Sequence, residues 1–294
     1  MKLIKDIFAH YMRVDTFEKG AALSYYVAFS FLPMIMIVIS VLGIIFKEDT
    51  VSADLYEQLK MYAGDQNALQ FEKLIQNQHL NHDSILTTIL GFAALALAST
   101  AAFNQLHKSL NAIWRVKAKP KSGVLHYIIR HLTFLIMLII LGFILIMSAS
   151  VSRLLLKYAA NLPDFLANAR LYKNLVSVML VILTFIILFK FLGDAHVPWK
   201  TALIAAAVTS ILFIIGKEAI SLYIAHSNLT TTFGAASIIA LLMIWVFYTA
   251  QLLYLGACFA FVVGKKYGGE IRPGKNAVRI VEKEVSSKPT KDVV

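Results

Sequence analysis

The residues that could do chemistry in this chain are few, and most of them lie inside long apolar runs. Lys217 and Glu218 sit deep in one such run. Ionisable side chains within a bilayer are rare and often mark a substrate or proton path. Neighbours on a helix point about 100° apart, so these two do not pair with each other. Lys217 shares a face with Phe213 and Ser221, and Glu218 with Ile214 and Leu222. Counted from Lys200, Lys217 stands ~26 Å along the helix at ~1.5 Å per residue, near the far interface, where its stem can snorkel. Two readings stand: an interfacial anchor, or a role in a structural ion pair or in a substrate path that also takes in Ser221 and Tyr223.

A second constellation is Ser24, Tyr25, Tyr26 and Ser30, followed by Pro33. Proline removes a backbone hydrogen bond, so a kink is expected there. The cluster is either an aromatic interface belt or a kinked helix lining a cavity with hydroxyls and freed carbonyls. Asn104, Gln105 and Asn111 add polar groups near the end of another apolar run. Lys190 and Asp194, four residues apart, read as an interfacial salt bridge. Thr230, Thr231, Thr232 and Gly234 read as a polar loop rather than a re-entrant turn.

Catalytic and metal patterns are missing from the sequence. His79 and His82 have no HExxH, CxxC or carboxylate cluster around them, and neither a P-loop nor a GxSxG elbow occurs. The expectation is a protein with no cofactor, no metal and no intrinsic hydrolase activity. Cys258 is the single cysteine, so an intramolecular disulfide is excluded and a packing role expected.

The elements that must position these residues are helices. The chain has 294 residues, 59% of them hydrophobic and 15% charged, against about a quarter charged in soluble domains. Six long apolar stretches stand out: Ala21–Phe46, Ile85–Leu106 (with a helix that continues toward Trp114), Ile128–Val151, Leu175–Leu192, Thr201–Ile224 and Phe233–Val263. A spanning helix needs ~20 apolar residues, and in lipid each segment must satisfy its own backbone. The fold class predicted is therefore all-α, a polytopic membrane protein with six transmembrane helices. Residues 1–19 read as an amphipathic helix on the membrane surface. Residues 47–83 are a hydrophilic insertion with helical periodicity near 51–63 and 66–80, a small helical extracytoplasmic cap. Residues 1–265 form the membrane domain, and 266–294 a basic tail, disordered toward its end. The small residues Gly91, Ala93, Ala94, Ala96 and Ala98 suit close helix packing, as do Gly256, Ala260 and Gly264 at four-residue spacing. The latter face serves an internal contact, or an oligomer interface.

Charge gives orientation. Net charge is +11, which in a soluble protein would raise nucleic acid as a partner. Here the positives lie at span ends, so anionic lipid is the expected partner and nucleic acid is not. With the N-terminus in the cytoplasm, inner segments hold 20 Lys/Arg and 8 acidic residues, and outer segments 8 and 9. The loop 153–173, with four positives, runs against this pattern. The expectation is a membrane protein with both termini cytoplasmic.

The motif order carries a resemblance. Ala21-Ala22-Leu23-Ser24-Tyr25-Tyr26 comes first, then Ser99-Thr100-Ala101-Ala102-Phe103 with Leu110-Asn111-Ala112-Ile113-Trp114. Val197-Pro198-Trp199-Lys200, Gly216-Lys217 with Leu222-Tyr223, Thr232-Phe233-Gly234, Ile244-Trp245 and Leu255-Gly256-Ala257 follow. In this order the chain resembles the YihY/BrkB family of bacterial inner-membrane proteins over about residues 5–265. Phe233 stands where the family usually has Tyr, so a hydroxyl is lost there. The resemblance implies six helices with both termini inside. Some relatives have carried a ribonuclease label, for which this sequence offers no metal cluster or acid/base pair. Others look like candidates for moving envelope lipids. The expected function is a transporter or flippase-like protein for a lipid, an envelope lipid precursor or another amphiphile. The alternative is a non-transporting scaffold that binds envelope partners.

Overall fold

Long apolar segments close their own hydrogen bonds, and the computed structural model is correspondingly mostly helical. It describes residues 2–45, 69, 100–119, 169–226 and 237–281. In chain order these form α1 (Lys2–Arg13), α2 (Thr16–Ile45), α3 (100–113), β1 (Val116–Ala118), α4 (Ala169–Phe191), β2 (Ala195–His196), α5 (Trp199–His226), α6 (Ser237–Tyr267), β3 (Arg272–Pro273) and β4 (Ala277–Arg279). The cap at 47–83, apart from the helical Leu69, the span Ile128–Val151, and Thr230–Gly234 lie outside the described residues.

Among the described residues, Trp199–Ile220 and Ile239–Tyr267 are long and apolar enough to cross a bilayer, and Leu175–Phe191 is a shorter apolar helix. The α2 helix holds 30 residues, about 45 Å at ~1.5 Å per residue, and runs through Pro33 as one helix with no break. Helix α6 packs against α2 and α5, α5 also packs against α4, and α1 lies on α6.

Among the described residues, one end of the bundle gathers the connections. The ends of α3, α4 and α6, the start of α5, and α1 all meet there, and four short strands tie them together. β1 pairs with β4 antiparallel, Val116 opposite Arg279. β2 pairs with β3, Ala195 opposite Pro273. Gly268, at φ 82°, ends α6 in the left-handed conformation that glycine adopts without strain, and the chain turns back over the bundle. The helices are joined by two small two-stranded sheets, whose strands of two or three residues carry no readable alternation in the sequence. The first part of the tail, to residue 281, seals this end: Ile271 and Ala277 are buried.

The core is concentrated at the same end. Trp114, Leu110, Ile113, Phe189, Val197, Ala202 and Tyr254 are fully or almost fully buried. In contrast Leu175, Met179, Leu203, Ile204, Ile211 and Ile215 are exposed on α4 and α5. Such aliphatic faces suit lipid, which costs nothing to touch them.

Candidate functional site

Three polar residues at the packed end, His107, Asn111 and Asp194, form one network. His107 and Asn111 stand one turn apart on α3, so both face the same neighbour. That neighbour is Asp194, in the bend after α4. Asn111 Nδ2 donates to Asp194 Oδ2 (2.8 Å), and the Asp194 N–H donates to Asn111 Oδ1 (2.9 Å). This double contact fixes which way the amide points, since the reverse would set two oxygens together. Asn111 Nδ2 also lies 3.3 Å from His107 Nδ1, and His107 Nε2 lies 3.4 Å from Asp194 Oδ1. The pattern suits the imidazole tautomer with its proton on Nε2. The Asp194 carbonyl accepts from Gly274 N–H (2.8 Å), so the returning tail closes over the network.

Packing supports it. The indole of Trp114 donates to the Ala257 carbonyl (3.3 Å) and lies over Gly193. A Cβ at Gly193 would come within 2.4 Å of Trp114 Cζ3, so only glycine fits beside that ring. Arg115, at φ 54°, turns the chain out of α3 into β1, and its carbonyl accepts from Ile280 N–H (2.8 Å). On the other side, His10 Nε2 lies 2.9 Å from the Ile113 carbonyl, and its ring stacks on Phe261 at 4.7 Å. The Tyr11 hydroxyl donates to Gln251 Oε1, and Gln251 Nε2 donates to the Thr16 carbonyl (3.2 Å). Burial raises the Tyr11 phenol above its ordinary pKa, keeping that donor protonated.

The expected Lys190–Asp194 bridge is replaced by other partners. Lys190 Nζ donates to the Val197 carbonyl (2.5 Å) and sits 4.8 Å over the Trp199 ring, while Asp194 turns to Asn111 and His107. The helix ends at Phe191, so residue 194 no longer follows the i,i+4 geometry of α4. The reach of α3 to Asp194 had only a weak signal in the sequence: two polar residues, His107 and Asn111, on one helical face. Asp194 itself carried no signal of its true partners.

The residues singled out for a substrate path divide in the structure. Ser24 and Ser30 are buried, and each hydroxyl donates to a carbonyl of its own helix: Ala21 (2.8 Å) and Val27 (3.0 Å). Tyr25 points outward, its ring tilted against Phe29 with centroids 4.6 Å apart, and Tyr26 is half-buried against it. Pro33 is within helical backbone, and Asn104 is half-buried on α3. Lys217, Glu218 and Tyr223 are exposed on α5, and Ser221 belongs to the same helix. The structure therefore does not gather these ten residues at one place. Gly256, Ala260 and Gly264 are buried inside the chain: a Cβ on Gly256 would meet Thr209 Oγ1 at 1.9 Å, and one on Gly264 the Gly269 carbonyl at 2.5 Å. They serve an internal contact.

Chemically, the network is a carboxylate held by an amide and an imidazole, with the Asp194 N–H returned to the amide oxygen. Among the described residues, no group of three or more His, Cys, Asp or Glu could hold a metal.

Comparison with known proteins agrees with the membrane reading. A "UPF0761 membrane protein" of Saccharophagus degradans is 22% identical over 261 residues, covering 89% of this chain and 59% of that one. A second from Psychrobacter sp. is 23% identical over 274 residues, covering 92% and 50%. One from Tolumonas auensis is 28% identical over 182 residues, covering 61% and 58%. The chain thus spans about half to three-fifths of the length of these curated relatives. Their names indicate no enzymatic activity. No solved structure matches. The model of the family described as "Virulence factor BrkB" matches residues 7–281, and the chain belongs to that family of membrane proteins.

Proposed function

We propose that this protein moves a lipid, an envelope lipid precursor or another amphiphile across or within the bacterial cytoplasmic membrane, without enzymatic chemistry of its own. The observation that carries the reading is a pair of buried hydroxyls in the membrane helices. Ser210 Oγ on α5 and Thr249 Oγ1 on α6 have no hydrogen-bond partner among the described residues. Buried polar groups are nearly always paired, and an unmet one costs ~1–3 kcal/mol. The neighbouring Thr209 hydroxyl does find a partner, the Ala205 carbonyl (2.7 Å), whereas the Tyr254 hydroxyl on α6 is likewise unmet among the described residues. Polar groups left open inside a membrane bundle suit a passing headgroup or the water that accompanies it.

Orientation follows the charge count, with both termini cytoplasmic, and the packed end facing the cytoplasm. That end holds Lys265 and Lys266 at the last turn of α6. In this reading the network of Asn111, His107 and Asp194 is scaffold, and movement occurs toward the other end of the helices.

The test is reconstitution. Purified protein in liposomes is assayed for movement of labelled phospholipid and of an undecaprenyl-type precursor. Movement above empty liposomes and above an unrelated six-span protein supports the proposal. Rates equal to both controls defeat it. Mass spectrometry of lipids that co-purify from the native membrane then identifies the substrate.

A further inference from the structure

The first helix divides its surface into three sectors. Leu3, Ile7, His10 and Tyr11 face the protein: Ile7, His10 and Tyr11 are buried, with His10 on Phe261 and Tyr11 on Gln251. Ile4, Phe8 and Met12 repeat every four residues on the flank and are 72%, 54% and 45% exposed. Phe17, 50% exposed at the start of α2, extends the stripe and meets Tyr11 edge-on at 5.7 Å. The remaining sector is polar and exposed: Lys2, Lys5, Asp6, Ala9 and Arg13. A helix docked on a soluble core needs only an apolar side and a wet side. A third sector of large exposed apolar side chains, between the other two, is what an in-plane helix at a bilayer surface shows.

Neighbouring groups carry the same message. Trp199 and Phe191 are 59% and 53% exposed, meet edge-on at 6.5 Å, and have Lys190 over the Trp199 ring. Tyr267, 69% exposed, lies under Lys266 at 5.7 Å. Exposed aromatic rings paired with lysines, at the ends of apolar helices, mark a headgroup level. They stand at the packed end, where α1 also lies.

We propose that α1 lies in the membrane plane with Ile4, Phe8, Met12 and Phe17 in the acyl region of an anionic leaflet. Three cations, Lys2, Lys5 and Arg13, against one carboxylate, Asp6, favour anionic headgroups over neutral ones. This anchoring holds whether or not the protein moves a substrate.

Single-cysteine variants of the full chain test it, after Cys258→Ala removes the one native thiol. Phe8→Cys, Met12→Cys, Ala9→Cys and Arg13→Cys are spin-labelled in liposomes of phosphatidylethanolamine and phosphatidylglycerol. Collision with oxygen and with a water-soluble nickel chelate is then measured. The oxygen-to-nickel ratio is expected to be several-fold higher at 8 and 12 than at 9 and 13. In liposomes of phosphatidylcholine alone, the ratio at 8 and 12 is expected to fall. Nickel access at 8 and 12 equal to that at 9 and 13 overturns the proposal, as does exclusion of both reagents, which would mean a protein partner. An unchanged ratio in phosphatidylcholine overturns the preference for an anionic leaflet.

Discussion

At the packed end Asn111, His107 and Asp194 answer one another's polar atoms, and Gly274 covers the carbonyl that remains. In the apolar helices Ser210 and Thr249 are equally hidden from solvent, and their hydroxyls are unanswered among the described residues. Both regions bury polarity, which is expensive unless paired. The first is built like a fastening: donors, acceptors and ring packing fix one geometry. The second keeps open valences in a medium that supplies none. On the proposed function, the first region is scaffold and the second belongs to the path; a satisfied network fixes structure, whereas unmet hydroxyls leave room for a polar partner.

The largest effect should come from breaking the fastening. Trp114→Ala removes a fully buried indole and its bond to Ala257, with an expected loss of about 3–5 kcal/mol. Thermal unfolding in detergent should show a large fall in Tm, or failure to accumulate in the membrane. Gly193→Val attacks the same ring from the other side and should behave alike, since its Cβ has no space beside Trp114.

Next in size is Asn111→Ala, which leaves the Asp194 carboxylate and its N–H without the amide. Losing these contacts should destabilise by roughly 1–3 kcal/mol. Lipid movement by the molecules that remain folded should be unaltered. A normal Tm with lost movement would reverse the roles assigned to the two regions.

The open hydroxyls predict the opposite split. Ser210→Ala with Thr249→Val should leave Tm unchanged or raise it, because removing an unmet polar group can stabilise by up to about 1–2 kcal/mol. Movement of lipid should fall.

The smallest effect concerns the returning tail. Arg279 Nη1 donates to Glu270 Oε1 (2.7 Å), and this bond, with the charge of Arg279, holds the Glu270 carboxyl below its usual pKa. A depressed carboxylate stabilises the fold above its unfolded pKa, near 4.3, and that contribution is lost as pH falls through the folded value. The protection factors of the amides at Ala277–Arg279, corrected for intrinsic exchange, should therefore fall slightly as pH drops below the usual carboxylate range. Glu270→Gln should remove the pH dependence.

Much of the architecture was legible. Apolar length gave the helices later seen at Ala169–Phe191, Trp199–His226 and Ser237–Tyr267, within a few residues of the expected bounds. Family membership was legible from motif order, as the family model bears out. The packed end was not. Its strands are two or three residues long, and its central contact joins residues 111 and 194, which no local pattern links. The pair Lys190 and Asp194 misled because i,i+4 spacing holds only while the helix lasts, and α4 stops at Phe191. Ser210 and Thr249 were missed because small hydroxyl residues in an apolar run are ordinary; only the absence of a partner distinguishes them.

The central claim is that the closed network is scaffold and the open hydroxyls belong to the path. One paired measurement tests it: Tm and lipid movement of the Ser210→Ala/Thr249→Val variant beside the wild type, in the same liposomes. The account predicts an unchanged or higher Tm with movement reduced about tenfold, the equivalent of ~1.4 kcal/mol in a barrier. Movement at the wild-type rate in a variant of equal or greater stability would contradict it, and would make the two hydroxyls mere packing defects.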